Sequence, residues 1–109
     1  MSDEFTKSGR TAVSTEGFSI EVEIAGGVIY RDATNEVRLG AEWLMTKPFG
    51  IAISKRSRAN KGLEGKDQAQ IGAVFDKVIR ALQFMEYRVE VDEGSARPRI
   101  FNPQDTGKQ

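Results

Sequence analysis

A single stretch of this chain repeats with a helical period, and it constrains the rest. Ile71, Val74, Phe75, Val78, Ile79, Leu82 and Met85 recur at steps of three and four residues, which places them on one broad face of an α-helix. Asp67 precedes them as a good N-cap, and Lys77 and Arg80 fall on the outer side. The spacing predicts a helix over about 67–85. Such a stripe must bury itself against another apolar surface.

The segments before it alternate with a period of two. Phe18, Ile20, Val22 and Ile24 are apolar, and Ser19, Glu21 and Glu23 between them are polar, the pattern of a strand with one wet face. Gly26-Gly27 predicts a tight hairpin into a second strand over 28–31. Asp32-Ala33-Thr34-Asn35 forms the next turn, where Asp and Asn can hydrogen-bond nearby backbone. A third strand over about 36–45 puts Val37, Leu39, Ala41, Trp43 and Met45 on one face, and Gly40 in mid-strand marks a bulge or the close approach of another backbone. Lys47-Pro48 breaks it, Phe49, Ile51 and Ile53 alternate again, and after the helix Arg88-Val89-Glu90-Val91-Asp92 reads as a short last strand.

The expectation is an α+β domain: a small antiparallel sheet of four to five strands, in the order β-β-β-β-α-β, with one helix packed on one face. Trp43, Phe75 and Ile79 are expected at its centre. The single domain spans 18–92. Residues 1–17 and 93–109, rich in polar residues, Gly and Pro, read as disordered tails. Residues 55–66, with almost no apolar content, read as a flexible crossover loop.

Composition narrows the chemistry. The chain has 109 residues, with neither cysteine nor histidine. That removes disulfides, thiolate nucleophiles, the usual general base near neutral pH and the commonest metal ligand. No nucleophile–base pair, metal cluster or dinucleotide fingerprint stands out, so catalysis, a metal and a cofactor are not expected. Sixteen basic and sixteen acidic side chains balance, without the single-sign field that steers nucleic acid or an anionic membrane, and near-zero net charge favours self-association. The N-terminus lacks a signal-peptide pattern, and no apolar run approaches the ~20 residues of a membrane span. The cytoplasm is the expected compartment, because small secreted domains commonly carry disulfides.

Three surfaces remain as candidates. Lys55, Arg56, Arg58, Lys61 and Lys66 crowd the loop, opposed there only by Glu64. They can grip anions, or simply keep a loop solvated. Glu21, Glu23, Arg38, Glu42, Arg88 and Glu90 share the open sheet face, for acid–base work if burial splits their pKa values or for cross-strand charge pairing. Among the aromatics, Phe84 at the edge of the helical stripe and Tyr30 in the short second strand are the candidates for a partner contact. The partner-binding set is therefore Lys55, Arg56, Arg58, Lys61, Phe84 and Tyr30.

Gly26-Gly27-Val28-Ile29-Tyr30-Arg31-Asp32, then Val37-Arg38-Leu39-Gly40-Ala41-Glu42, then a helix ending in Ala81-Leu82 before Arg88-Val89-Glu90-Val91, resembles the immunity protein 74 family over about 20–92. These are small bacterial proteins associated with polymorphic toxin systems. The resemblance implies a protein that binds a toxin and neutralises it by occlusion, without catalysis. Four strands followed by a helix also resembles a family of small transcription cofactors. That order, with the basic loop 55–66, gives the alternative of a single-stranded nucleic-acid binder.

Overall fold

The computed structural model describes residues 5–45, 49–94 and 96–103. Among these, eight strands form one sheet whose spatial order follows the chain. They are β1 (Phe5–Ser8), β2 (Thr11–Ser14), β3 (Ser19–Glu23), β4 (Gly27–Arg31), β5 (Glu36–Leu44), β6 (Gly50–Ser54), β7 (Arg88–Asp92) and β8 (Arg99–Phe101), with α1 (Gln68–Phe84) between β6 and β7.

The α+β class and the lone helix are as the patterns predict; the size of the sheet is not. β1, β2 and β8 lie in segments read as disordered tails. Each has three or four residues, too short for a period of two to register. Ala12 is nonetheless fully buried, and Phe101 packs against the core. The sheet is also not wholly antiparallel, because β6 and β7 pair in parallel. The helix makes them so: it carries the chain back along the sheet by about 25 Å, and β7 enters beside β6 in the same direction.

β5 is the pivot of the sheet. Its first half, Glu36 to Gly40, pairs with β4, and its second half, Ala41 to Leu44, pairs with β6. Each half thus has a backbone edge that its neighbouring strand does not cover.

The helix begins in a capping box. The Asp67 carboxylate accepts the Gln70 N–H at 2.8 Å, and the Gln70 side-chain oxygen accepts the Asp67 N–H at 2.9 Å. It ends in a Schellman motif, with the Tyr87 N–H on the Leu82 carbonyl at 3.0 Å and the Glu86 N–H on the Gln83 carbonyl at 2.9 Å. Glu86 occupies the left-handed position there, at φ 72°, where glycine is usual. Val74, Phe75, Val78, Ile79, Ala81 and Leu82 are buried against Ile20, Val22, Val28, Leu39, Ile51, Val89 and Val91 of the sheet. Both edge strands reach the last helical turn: Phe5 of β1 stacks on Phe84 at 5.2 Å, and Gln83 donates to the Asn102 carbonyl, just past β8, at 2.7 Å. Phe75 and Ile79 are central as expected. Trp43 sits instead at the core's margin, where its indole N–H finds the Ile24 carbonyl at 3.0 Å.

Candidate partner-binding face

With one sheet face under the helix, the other is free to carry charge, and ion pairs cross it from strand to strand. Arg31 bridges Glu21 at 3.2 Å and Glu36 at 3.4 Å. Arg38 on β5 reaches over β4 to pair with Glu23 on β3. Gly27 makes that crossing possible, since a Cβ there would stand 2.6 Å from the Glu23 carboxylate. Arg88 lies 3.6 Å from Glu90 on the same strand. Of the two roles open to these carboxylates, the arrangement is that of charge pairing. The pairs away from Arg88 are largely exposed, so each contributes little to stability.

Past β5 the same face changes character. A groove of about 460 Å³ is lined by Gly26, Gly40, Ala52, Ser54, Ser57 and Ala59, with Glu42 and Asp92 among its walls. A second hollow of about 410 Å³ shares Ala52, Ile53 and Asp92 with it and continues towards Ala96 and Pro98. The floor is made of small side chains. Asp92 is satisfied internally, accepting the Ser54 hydroxyl at 3.2 Å and the Gly94 N–H at 2.9 Å.

The loop that rims this groove is pinned rather than loose. Asn60 donates to the Ser54 carbonyl at 2.7 Å and accepts the Gly40 N–H at 3.0 Å. Lys61 and Arg38 exchange both backbone hydrogen bonds, at 2.7 and 2.9 Å, so the loop runs along the part of β5 that β6 leaves open. Gly40 is the close approach that its mid-strand position predicts, because a Cβ there would lie 2.6 Å from the Ala59 methyl. Ser57 and Ala59 face the groove, while Arg56, Arg58 and Lys61 are exposed.

The six expected contact residues therefore separate. Arg56, Arg58 and Lys61 are exposed along the loop, with the Arg56 guanidinium beside Gly94 and Lys61 bridged through its backbone to Arg38. Lys55 is drawn inward, 3.6 Å from Glu93 and with its ammonium over the Phe75 ring at 5.6 Å, so it holds the loop base to β7 and the helix. Tyr30 is corrected outright: it is buried, stacked on Phe18 at 5.8 Å, and no partner can reach its ring. Its four-residue context could not fix which face it takes, and every residue of β4 before Arg31 is buried. Phe84 is half-buried on the core beside Phe5, the packing role rather than the contact role. Sequence reasoning missed Asn60 and Ser57. Gly40 was the available signal, since a glycine facing a polar loop marks where that loop touches down.

Among the described residues, Tyr30 and Asp32 form a strongly perturbed pair. The Tyr30 hydroxyl donates to the Asp32 carboxylate, which also accepts the backbone N–H groups of Thr34 and Asn35 at 2.9 and 2.7 Å. The hydroxyl first, with those amides adding to it, holds Asp32 down at about 2. Burial, then the carboxylate beside it, pushes Tyr30 far above the usual phenol range. This pair closes the β4–β5 turn and lines neither the groove nor the hollow beside it. Among the described residues, no three Asp or Glu side chains gather as metal ligands, and no helix is long and apolar enough to cross a membrane.

No known protein family, curated protein or solved structure matches this chain.

Proposed function

We propose that this chain is a non-catalytic, cytoplasmic protein-binding module of the immunity type, which neutralises a toxin by covering it. The observation that carries the reading is the open half of the sheet: a broad groove with Gly40, Ala52 and Ser54 of the strands and Ala59 of the loop in its lining, the loop itself being hydrogen-bonded in place. Small side chains over a pleated surface let a partner's backbone or side chains come close. A pinned rim costs little ordering entropy on binding. The resemblance over 20–92 points the same way.

Co-expression with the product of the adjacent gene, followed by co-purification and a toxicity assay, tests the proposal. A stable complex that restores growth is the expected result. An adjacent product that forms no complex, or is harmless on its own, contradicts the proposal. The basic loop gives single-stranded nucleic-acid binding as the second reading, and a salt-dependent oligonucleotide titration separates the two.

A further inference from the structure

The helix leaves one end of the sheet's apolar face uncovered. Trp43 pairs with Ile51, and Ile51 with Val89. One alternation further along the same three strands stand Met45, Phe49 and Tyr87, continuing the apolar phase. The Arg88 N–H on the Phe49 carbonyl, at 3.1 Å, keeps the starts of β6 and β7 side by side there. Trp43 is tilted against Tyr87 with ring centroids 5.7 Å apart, and its indole N–H on the Ile24 carbonyl brings the β3–β4 turn to the same place. Ile24 is 70% exposed, Met45 71% and Phe49 50%, beside half-buried Trp43 and Tyr87. Aromatic residues and Met are enriched where proteins meet, and a contiguous apolar patch on a monomer marks such a site. None of the five lines the groove or the hollow beside it.

We infer that Ile24, Trp43, Met45, Phe49 and Tyr87 form a self-association surface, on which a second copy of this chain packs the same patch about a two-fold axis. Charge and area select this occupant. Sixteen basic and sixteen acidic side chains leave no net charge to hold two copies apart. The five side chains are uncharged, so a two-fold contact sets apolar surface against apolar surface from both copies. Taking about 200 Å² for each free side chain, the exposures of Ile24, Met45 and Phe49 leave about 400 Å² of apolar surface on each copy. That is about half of what a standard interface covers on each partner, which makes the pair weak and reversible. Because the patch lies outside the groove, pairing leaves both grooves open.

Sedimentation velocity of the full chain from about 5 to 500 µM tests the inference. The expected result is a reversible rise from monomer to dimer mass. Trp43 is the chain's single tryptophan, so its emission should shift to the blue, and its quenching by acrylamide fall, over the same concentration range. M45S/F49S should weaken pairing at least about tenfold, and I24S less. I100T, which removes an apolar side chain 56% exposed on β8, should leave pairing unchanged. Each altered side chain is half or more exposed, so the variants should keep the wild-type circular dichroism spectrum, and I24S serves if the double variant does not. Raising salt from about 50 to 500 mM should leave pairing intact or strengthen it. A monomer mass at the highest concentration overturns the surface. So does pairing that survives M45S/F49S undiminished, leaves Trp43 emission unmoved or is abolished by salt. The adjacent gene product separates this surface from the groove. If that product dissolves the pair and fails to bind M45S/F49S, the patch belongs to it and the inference falls. If it binds M45S/F49S as it binds wild type, the patch serves the second copy alone.

Discussion

Replacing Gly40 with alanine tests whether the loop is seated on β5 as described. The added methyl would stand 2.6 Å from the Ala59 Cβ and 3.3 Å from the Ser57 hydroxyl, well inside ordinary contact. β5 is held on both sides, by β4 before this point and β6 after it, so the loop must give. Lifting it breaks the Gly40–Asn60 hydrogen bond and strains the Asn60–Ser54 one. Two such bonds contribute about 0.5–1.5 kcal/mol each, and overpacking alone costs about 1–3 kcal/mol. A loss of about 2 kcal/mol follows, or roughly 8 °C in Tm for a chain of this size. Ala59→Gly removes the methyl that the new one strikes, and alone should cost under about 1 kcal/mol. G40A/A59G should therefore recover at least about 1 kcal/mol relative to the sum of the single changes. Urea denaturation of all four proteins measures the cycle, and amide exchange at residues 57–61 reports the loop directly. Strict additivity, with protection of those amides unchanged in Gly40→Ala, would refute the seating of the loop.

Glu86→Gly should stabilise the protein by about 0.5–1 kcal/mol, because the left-handed Schellman position costs an L-residue more than glycine loses in chain entropy; Glu86→Ala, which keeps the strain, should show no such gain in thermal melts. Asp67→Ala should cost about 1 kcal/mol by removing one arm of the capping box, read in urea. Asp32 has a folded-state pKa of about 2, depressed below its ordinary 3.8, so its contribution is complete above about pH 4 and lost as pH falls through about 2. Stability measured from pH 6 to 2 should converge between wild type and Asp32→Asn towards the acid end, by about 1 kcal/mol after allowing for solvent screening. Tyr30→Phe should shift that convergence to higher pH, since the tyrosine hydroxyl is the main cause of the depression.

What could be read from the sequence was what depends on long, regular patterns. The helix was legible to within a residue at each end because its stripe persists over four turns and Asp67 marks its start. The β3–β4 hairpin was legible from Gly26-Gly27, of which only Gly26 takes positive φ, at 99°, while Gly27 begins β4. The charge pairing followed from the polar phase of β3, β5 and β7. β1, β2 and β8 escaped because strands of three or four residues draw their stability from neighbours that the local pattern does not contain. The parallel pairing of β7 with β6 escaped because strand direction is fixed by where the helix delivers the chain. Loop 55–66 read as flexible because hydrophilic composition reports solvent exposure and says nothing of backbone partners; Asn60, which bonds at both ends of its amide, supplies those partners.

Backbone amide shifts of the isotope-labelled chain, recorded with and without the adjacent gene product, give the most direct view of where a partner sits. The largest changes should fall at Ala52, Ser54, residues 56–61 and Asp92. Changes confined to the outer helix face, at Ala69, Ala73 and Asp76, would place the partner on the opposite side of the molecule and contradict the proposed binding face.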